Sequence, residues 1–588
     1  GSANRGFGNR RGTASVADGD AAAAPIGAGP RRRRRSSGQR QGGQSSGGGL
    51  RVNTVACTGK SSKDLFSAVS ESLGWKEVDV EARPSAAAGG TRPSAPRTVY
   101  CVMQTADLLE RLPLRTSSWA TRYIGLPDVC DKGNFSRMVL TCQDLVDDKA
   151  FAFNPRTWVL PDQLDDLKEA MGKGHKTYIV KPEDGSQGDG IFLTQGVRDL
   201  EIKLSCKANP AGVVQRYLDK PLLHRGLKFD FRVYVAFIGG SDEAPPRVFL
   251  CMEGLARFCT ETYQEPSQKN MHKCMGHLTN YSLNKRSETF EHSGETVESV
   301  FDTSTEASKR PLTVALQQIR EEHADFNQNQ FYDSLVGVIR TTASLMTPVL
   351  LHAGREHHGG GELRSCQLLG FDVMMDHRQS PYLLEVNNSP SLCIDEALPL
   401  APEEAAAAMA SKPPGGRART SDGDAVCRCM DMAQPHRHRT STVDLEVKRA
   451  AVTGLFQILE QLSSDSDAPE HQDFVEVDLR GDHLFETLRR VEVVFARAGG
   501  HGKAFTSASL RRVLGPLCGE GILQKHDLDS MAKKFRVSKF SMRDSQTCKV
   551  EALRLFDFLD VIKMCAAKAF PGSSPGDALE SALAVLES

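Results

Sequence analysis

An α+β architecture is the fold class this sequence predicts, and three observations predict it. Between residues 98 and 400, short apolar runs alternate with turn residues, giving expected strands at 178–181, 212–217, 229–237, 247–252, 367–375 and 381–386. Residues 311–353 have helical spacing instead, with Leu312, Ala315 and Ile319 followed by Leu335, Val338, Ile339 and Leu345. Several strands are hairpin-like neighbours rather than strict alternates with helices, which favours α+β over a doubly wound parallel sheet.

The chain has 588 residues, 73 Lys+Arg against 74 Asp+Glu, and 39% hydrophobic residues. At about 150 residues per domain this allows three or four units with at least one large core. No uninterrupted apolar run approaches the roughly 18–20 residues of a membrane span, and the first fifty residues lack the apolar block of a secretory leader. Fifteen scattered cysteines without a CxxC pair suit a reducing compartment. Secreted, membrane-spanning and disulfide-scaffold classes are therefore not expected.

Residues 1–50 hold nine arginines, with the run Arg31 to Arg35, against only Asp18 and Asp20. The rest of this arm is largely Gly, Ala, Ser and Gln, too polar to offset ordering entropy, so a disordered basic arm is expected. Such an arm attracts an acidic partner, a nucleic acid or a polyanionic protein tail; a solvated tail or an import signal accounts for it equally well. Residues 82–97 read as a loop, and 401–441 as a long polar insertion. The insertion contains Cys427, Cys429, His436 and His438, whose spacing does not match a closed four-ligand zinc pattern. Beyond residue 443, apolar spacing predicts helices, first with Leu445, Val447, Val452, Leu455 and Leu459, then with Leu484, Leu488, Val491 and Phe495. The texture over 484–535 is helix–loop–helix, but the loop from Gly499 to Lys503 lacks the alternating acidic ligands of a calcium site.

The strongest chemical signal is the segment CQLLGFDVMMD-HRQS-PYLLEVNN. If 377–380 form the turn, Asp376 faces Pro381, and the same register sets Asp372 across from Glu385, with Asn387 on that face. Opposed carboxylates repel, and burying them costs several kcal/mol each unless a cation intervenes. An Asp, a Glu and an Asn amide oxygen are hard donors suited to Mg²⁺.

Two further segments carry charge. Strand periodicity places Lys228, Asp230 and Arg232 on one side and Phe229, Phe231 and Val233 on the other. Alone, that row reads as an internally paired solvated face. With Arg257 and a metal nearby, two fixed guanidiniums suit a transferring phosphoryl group. The run Lys181-Pro182-Glu183-Asp184-Gly185-Ser186-Gln187-Gly188-Asp189-Gly190-Ile191 ends one strand and opens another through a glycine-punctuated turn. Its backbone N–H groups can cover phosphates, but it is neither a Walker A loop nor GxGxxG.

In order, Lys181–Ile191, Val214–Tyr217, Lys228–Arg232, Gly254–Arg257, His277–Tyr281, Leu368–Asp372 and Leu383–Ser391 form a set that resembles the tubulin tyrosine ligase-like family, over about residues 98–462. The resemblance implies an ATP-grasp ligase core with a disordered basic N-terminal arm and a mostly helical C-terminal appendage. Within it, 51–175 (with loop 82–97) is the N-terminal and linker part and 176–400 the central and C-terminal catalytic part. A disordered insertion (401–441), a terminal core helix (442–465) and a helical module (470–588) follow.

By that likeness Lys181 holds the α/β-phosphates of ATP under a loop with Gln187, Gly188 and Gly190. Gln215, Tyr217 and Leu218 line the adenine slot, Lys228 faces the base and Asp230 the ribose. Arg232 and Arg257 grip the γ-phosphate, while His277, Thr279 and Asn280 sit beside the reacting groups. Asp372, Glu385 and Asn387 ligate Mg²⁺, and Lys132 is a nucleotide-contacting lysine. Ser186, Gln187, Lys285 and Asn388 fall at the amino-acid substrate. The implied activity is ligation of an amino acid to a protein carboxylate in the acidic tails of tubulin or microtubules. Cytoplasmic, cytoskeletal or ciliary placement is implied, without a membrane or specific nucleic acid as partner. Gln187 resembles the glutamate-adding members, whereas glycine-adding members tend to carry Arg there, so free glutamate is the expected co-substrate. Ser186 and Asn388 depart from the Cys and His that other polyglutamylases often carry. Glycylation, a non-tubulin acidic substrate and a catalytically silent microtubule binder are the competing readings.

Overall fold

The computed structural model describes residues 50–588 except 58, 79–97, 105–117, 147–148, 184, 186–187, 207–209, 242–243, 294–298, 359–363, 411–418, 420–425, 428–434, 465–469, 499–506, 519–522 and 531–550. Residues 1–49 of the expected arm, the loop 82–97, Cys429 and the loop Gly499–Lys503 therefore lie outside the described residues.

The central scaffold is an antiparallel sheet in the order Lys309–Pro311, Arg247–Thr262, Leu227–Ile238, Cys366–Met375, Pro381–Asn387. Its long middle strands alternate large apolar side chains with the charged row. Phe229, Phe231 and Val233 enter one core with helices Leu312–Glu322 and Gln328–His358. On the opposite face, Lys228 and Asp230 are buried too, so the row is not a solvated strand face. A smaller antiparallel sheet, Thr157–Leu160, Gly212–Arg216, Tyr178–Pro182, Phe192–Thr194, has its own core around Trp158, Tyr178 and Val214. A third sheet, Lys76–Glu77, Arg51–Asn53, Thr98–Tyr100, Trp119–Ala120, is parallel throughout. Mixed helices and largely antiparallel sheets are thus present together.

The helical pattern expected over 311–353 is two helices. The Asn327 side chain accepts from the backbone N of Asn329 and Gln330, at 3.0 and 3.2 Å, and so starts the second helix afresh. Within the second helix, Gln328–Arg355 is long and apolar enough to cross a membrane by length and composition, although polar residues interrupt its apolar runs. Inside the fold, 72% of its apolar window is buried.

Two expectations are corrected. Residues 402–410 are a helix and 436–440 a strand, where a disordered insertion over 401–441 is expected. Helix Pro402–Ala410 begins with Pro and has Glu403 and Glu404 in its first turn, which favours helix initiation. Strand His436–Thr440 gains its ladder from Asp395–Pro399. The C-terminal module, expected as a mostly helical appendage, is also not set apart from the core. Strand Phe474–Val477 pairs with Arg247–Thr262 at the edge of the central sheet. Helices His483–Arg497, Glu551–Ala569 and Pro575–Glu587 contribute to the main core. Fully buried Glu492 fastens this packing by pairing with Arg355 and accepting from Arg489 at 2.7 Å.

Candidate functional site

The site lies where the smaller sheet faces the charged side of the central sheet, and cross-strand register builds it. Asp230 pairs directly with Arg257, Arg232 with Asp372, and Asp372 with Glu385. Directly opposed residues share a face, so one band of acids and cations crosses four adjacent strands.

The register of the last hairpin reaches the expected pairing by an unexpected route. Near the turn Met375 faces Pro381, one residue out from the Asp376–Pro381 pairing assumed from sequence. The backbone N of Asp376 donates to Ser380 O, and Gln379 takes a left-handed φ of 65°, so the loop is tighter than 377–380. An irregularity between Asp372 and Val373, opposite Leu384, absorbs the offset and restores Asp372 to Glu385. The carbonyl of Leu384 accepts from Lys181 Nζ at 3.2 Å, linking this point to the smaller sheet.

Within the band, Arg232 donates to Asp372 through Nε and Nη2, at 2.5 and 3.0 Å. Arg257 grips Asp230 at 2.7 and 2.6 Å and reaches Asp372 Oδ2 at 3.0 Å. Burial raises the Asp372 carboxyl, but Arg232 and Arg257 outweigh it and hold the group well below the usual carboxylate range. Thr279 Oγ1 donates to Asp230 at 2.7 Å. Asn387 Nδ2 donates to Glu385 at 3.1 Å and lies 3.4 Å from Asp372 Oδ2. A half-turn of that amide presents its oxygen instead, so Asp372, Glu385 and Asn387 together offer the hard donor set that Mg²⁺ requires. The residues fit the ion.

One chamber runs from this band past Lys181, Gln215, Leu218 and Lys228 to His277. Gln215 donates to Thr157 at 3.0 Å, Lys228 Nζ to Tyr217 Oη at 2.7 Å and to His277 O at 2.9 Å. Burial pushes the Lys228 ammonium down to about 8, although Cys259 and Asp230 act against it. Burial also lowers Lys181, with Glu385 opposing. His277, expected beside the reacting groups, has ring contacts with Tyr217 and Asn270 O at the Lys228 end of this chamber. Burial and then Lys228 lower its pKa.

A second chamber meets the first at Arg257, Asn280, Asp372 and Glu385, and is walled by Lys132, Gly188, Lys285 and Asn387. Lys132 Nζ lies 3.4 Å from Gly185 O, and Lys285 Nζ stands 5.5 Å over the Tyr281 ring. Gly188 and Gly190 have φ of 89° and 68°, the left-handed region that glycine occupies without strain. Ser186 and Gln187 lie outside the described residues. Asn388 is not among the lining residues of either chamber; its carbonyl accepts from Gln367.

Sequence reading missed Lys309, Asp444 and Lys448, which also wall the second chamber. Lys309 is the cross-strand partner of Arg257 and pairs with Asp444, which Lys448 meets at 2.8 Å. The strand Lys309–Pro311 is too short for periodicity to register. The i,i+4 pair Asp444–Lys448 was the available signal, but on a helix it reads as a surface ion pair.

Residues 128–401 match the model of the tubulin-tyrosine ligase family. Tubulin polyglutamylase TTLL11 of Homo sapiens is 35% identical over 295 residues, covering 49% of this chain and 39% of that protein. Tubulin polyglutamylase TTLL6 of Homo sapiens is 34% identical over 311 residues, 51% and 32% of the two chains. A protein of Tetrahymena thermophila named probable beta-tubulin polyglutamylase is 35% identical over 281 residues, 47% and 22% of the two chains. The matched stretch thus spans less than half the length of these relatives. Residues 128–401, the stretch that matches the tubulin-tyrosine ligase family, include the whole band from Lys181 to Asn387.

Proposed function

We propose that this chain is an ATP- and Mg²⁺-dependent carboxylate–amine ligase that adds glutamate to glutamate carboxylates in tubulin tails. The observation that carries the reading is the Arg257–Asp230 and Arg232–Asp372–Glu385 band, with both aspartates buried, at the junction of two chambers, one for a nucleotide and one for the joining substrates. The names of the relatives supply tubulin and glutamate as the substrate class.

A carboxylate resists attack by an amine because its charge is shared over two oxygens. In this reading a carboxylate oxygen attacks the γ-phosphorus of ATP and ADP leaves. The amine nitrogen then attacks the acyl carbon, phosphate leaves, and the nitrogen loses a proton to give the amide. Arg232 and Arg257 face the charge that gathers on the transferred group. Lys181 neutralises the inner phosphates, with Lys132 reaching in from the loop side. Gln215, Tyr217, Leu218 and Lys228 hold the base, and Asp230 the ribose. Thr279 and Asn280 frame the reacting groups, while His277 shapes the base chamber. Asp372, Glu385 and Asn387 would hold magnesium, which supplies charge neutralisation on the phosphates when bound. Burial excludes water from an activated acyl group. Lys285 faces the acceptor side, and the basic arm gives a route to acidic tails.

Mass spectrometry of microtubules incubated with the full chain, ATP, Mg²⁺ and competing glutamate and glycine tests this reading. ATP-dependent ladders of glutamate on tubulin tails are expected. Glycine ladders, or no ATP-dependent product, overturn it.

A further inference from the structure

Strand His436–Thr440, whose His438 lines the second chamber, carries with Cys427 a donor set of different chemistry. Cys427 and His436 form an antiparallel bridge, with Cys427 N donating to His436 O at 2.7 Å and His436 N donating to Cys427 O at 3.1 Å. Residues paired in this way project to the same face, and His438, two positions further along strand His436–Thr440, projects there too. Sulfur and ring nitrogen from all three lie within 4.8 Å of one another. The two imidazoles are 5.0 Å apart between centroids. On the other side of the ribbon, Pro399 stands opposite His436 and Ala397 opposite His438.

Sulfur and imidazole donors are the set that binds Zn²⁺, and a poor set for Mg²⁺, which prefers oxygen. Zinc bonds of about 2.0–2.3 Å place tetrahedral ligand atoms roughly 3.4–3.7 Å apart, a closure of about 1 Å within reach of side-chain rotation. Cys427 is not engaged in a disulfide. The burial is graded: His436 is fully buried, Cys427 half-buried and His438 exposed, so an ion has an approach from solvent.

We propose that Cys427, His436 and His438 form a zinc site that ties Cys427 to strand His436–Thr440 at the wall of the second chamber. On ligation the Cys427 thiol gives its proton to solvent and each imidazole binds through a neutral nitrogen. Three protein donors leave a fourth position for water or an exogenous ligand. His438 itself lines the chamber, and strand His436–Thr440 leads through Ser441 into helix Thr442–Ser463, which carries Asp444 and Lys448. The ion therefore fixes the strand from which two further lining residues are hung. The site shares no residue with the Asp372–Glu385 pair and offers sulfur and nitrogen where that pair offers oxygen.

Zinc titration of the chelator-stripped full chain, with Co²⁺ as a spectroscopic substitute, tests the site without reference to ligase activity. One equivalent of Zn²⁺ per chain is expected to survive desalting, and Co²⁺ should give a thiolate-to-cobalt charge-transfer band. Cys427→Ser should abolish that band and weaken Zn²⁺ binding by roughly 100-fold or more. His438→Ala, at an exposed position, should weaken binding by at least about 10-fold while leaving metal-free melting unchanged. Failure of the wild-type chain to retain zinc overturns the proposal. So does a Cys427→Ser, His438→Ala double variant that binds zinc and cobalt as the wild type does.

Discussion

Buried Asp372 and half-buried Glu385 stand opposite one another in the same band, but their partners are unequal. Asp372 is held by the guanidiniums of Arg232 and Arg257, whereas Glu385 receives the amide of Asn387 at 3.1 Å. The first acid sets the positions of the two arginines, and the second is the readier oxygen donor for a cation. In the proposed reading Asp372 also holds the arginines while Glu385 serves the ion alone, so substitutions at the two positions should part company.

Asp372→Asn leaves two buried guanidiniums short of a counter-charge, and should cost about 3 kcal/mol of stability at neutral pH. The Asp372 pKa is depressed in the folded state, so its stabilisation is present above the unfolded value near 3.8 and is lost as pH falls through the lower folded value. The difference between wild type and variant in chemical denaturation should therefore shrink below about pH 4. A pH-independent difference would contradict the pairing.

Gly370→Ala tests the placement of Arg232. A Cβ at position 370 would lie 2.9 Å from Arg232 Cδ and 3.0 Å from Pro390 Cβ. The arginine must then move off its line to Asp372. Turnover should fall by roughly 10- to 100-fold with a smaller change in nucleotide affinity, because a misplaced cation weakens transition-state stabilisation more than ground-state binding. Steady-state kinetics with varied ATP separates the two; an unchanged kcat would mean that Arg232 tolerates displacement.

Lys228→Met addresses the base chamber. Burial depresses the wild-type ammonium to about 8 in the folded state, against an ordinary value of 10.5. The unfolded chain therefore binds more protons between those values, and wild-type stability should rise with pH across that window. Thermal melts of the unliganded protein should show that slope in the wild type and lose it in Lys228→Met. Parallel curves for the two proteins from pH 7 to 10 would show that the burial cost is not borne by this lysine.

Much of the candidate site was legible because strand periodicity and hairpin register are short-range rules. Lys228, Asp230 and Arg232 share a face by alternation alone, and Asp372 meets Glu385 by counting from the turn. That count succeeded through two offsets that cancel: a tighter turn at Asp376–Ser380 and an irregularity opposite Leu384. Neither is visible in a pattern of apolar and polar residues. Lys309, Asp444 and Lys448 were not legible because they come from a three-residue strand and a helix brought together only by tertiary packing. The same holds for Phe474–Val477, whose ladder depends on the exposed edge of a strand more than two hundred residues earlier. Cys427 meets His436 and His438 for a related reason: an antiparallel bridge closes a gap in sequence that no ligand-spacing rule anticipates.

Binding of ATP with Mn²⁺ in place of Mg²⁺, followed by electron paramagnetic resonance in wild type and Glu385→Gln, tests most directly whether the opposed acids hold a divalent ion against nucleotide phosphates. Nucleotide-dependent Mn²⁺ binding is expected in the wild type, weakened by roughly 30-fold or more in Glu385→Gln. Equal Mn²⁺ affinity in the two proteins, at equal nucleotide occupancy, would contradict the account.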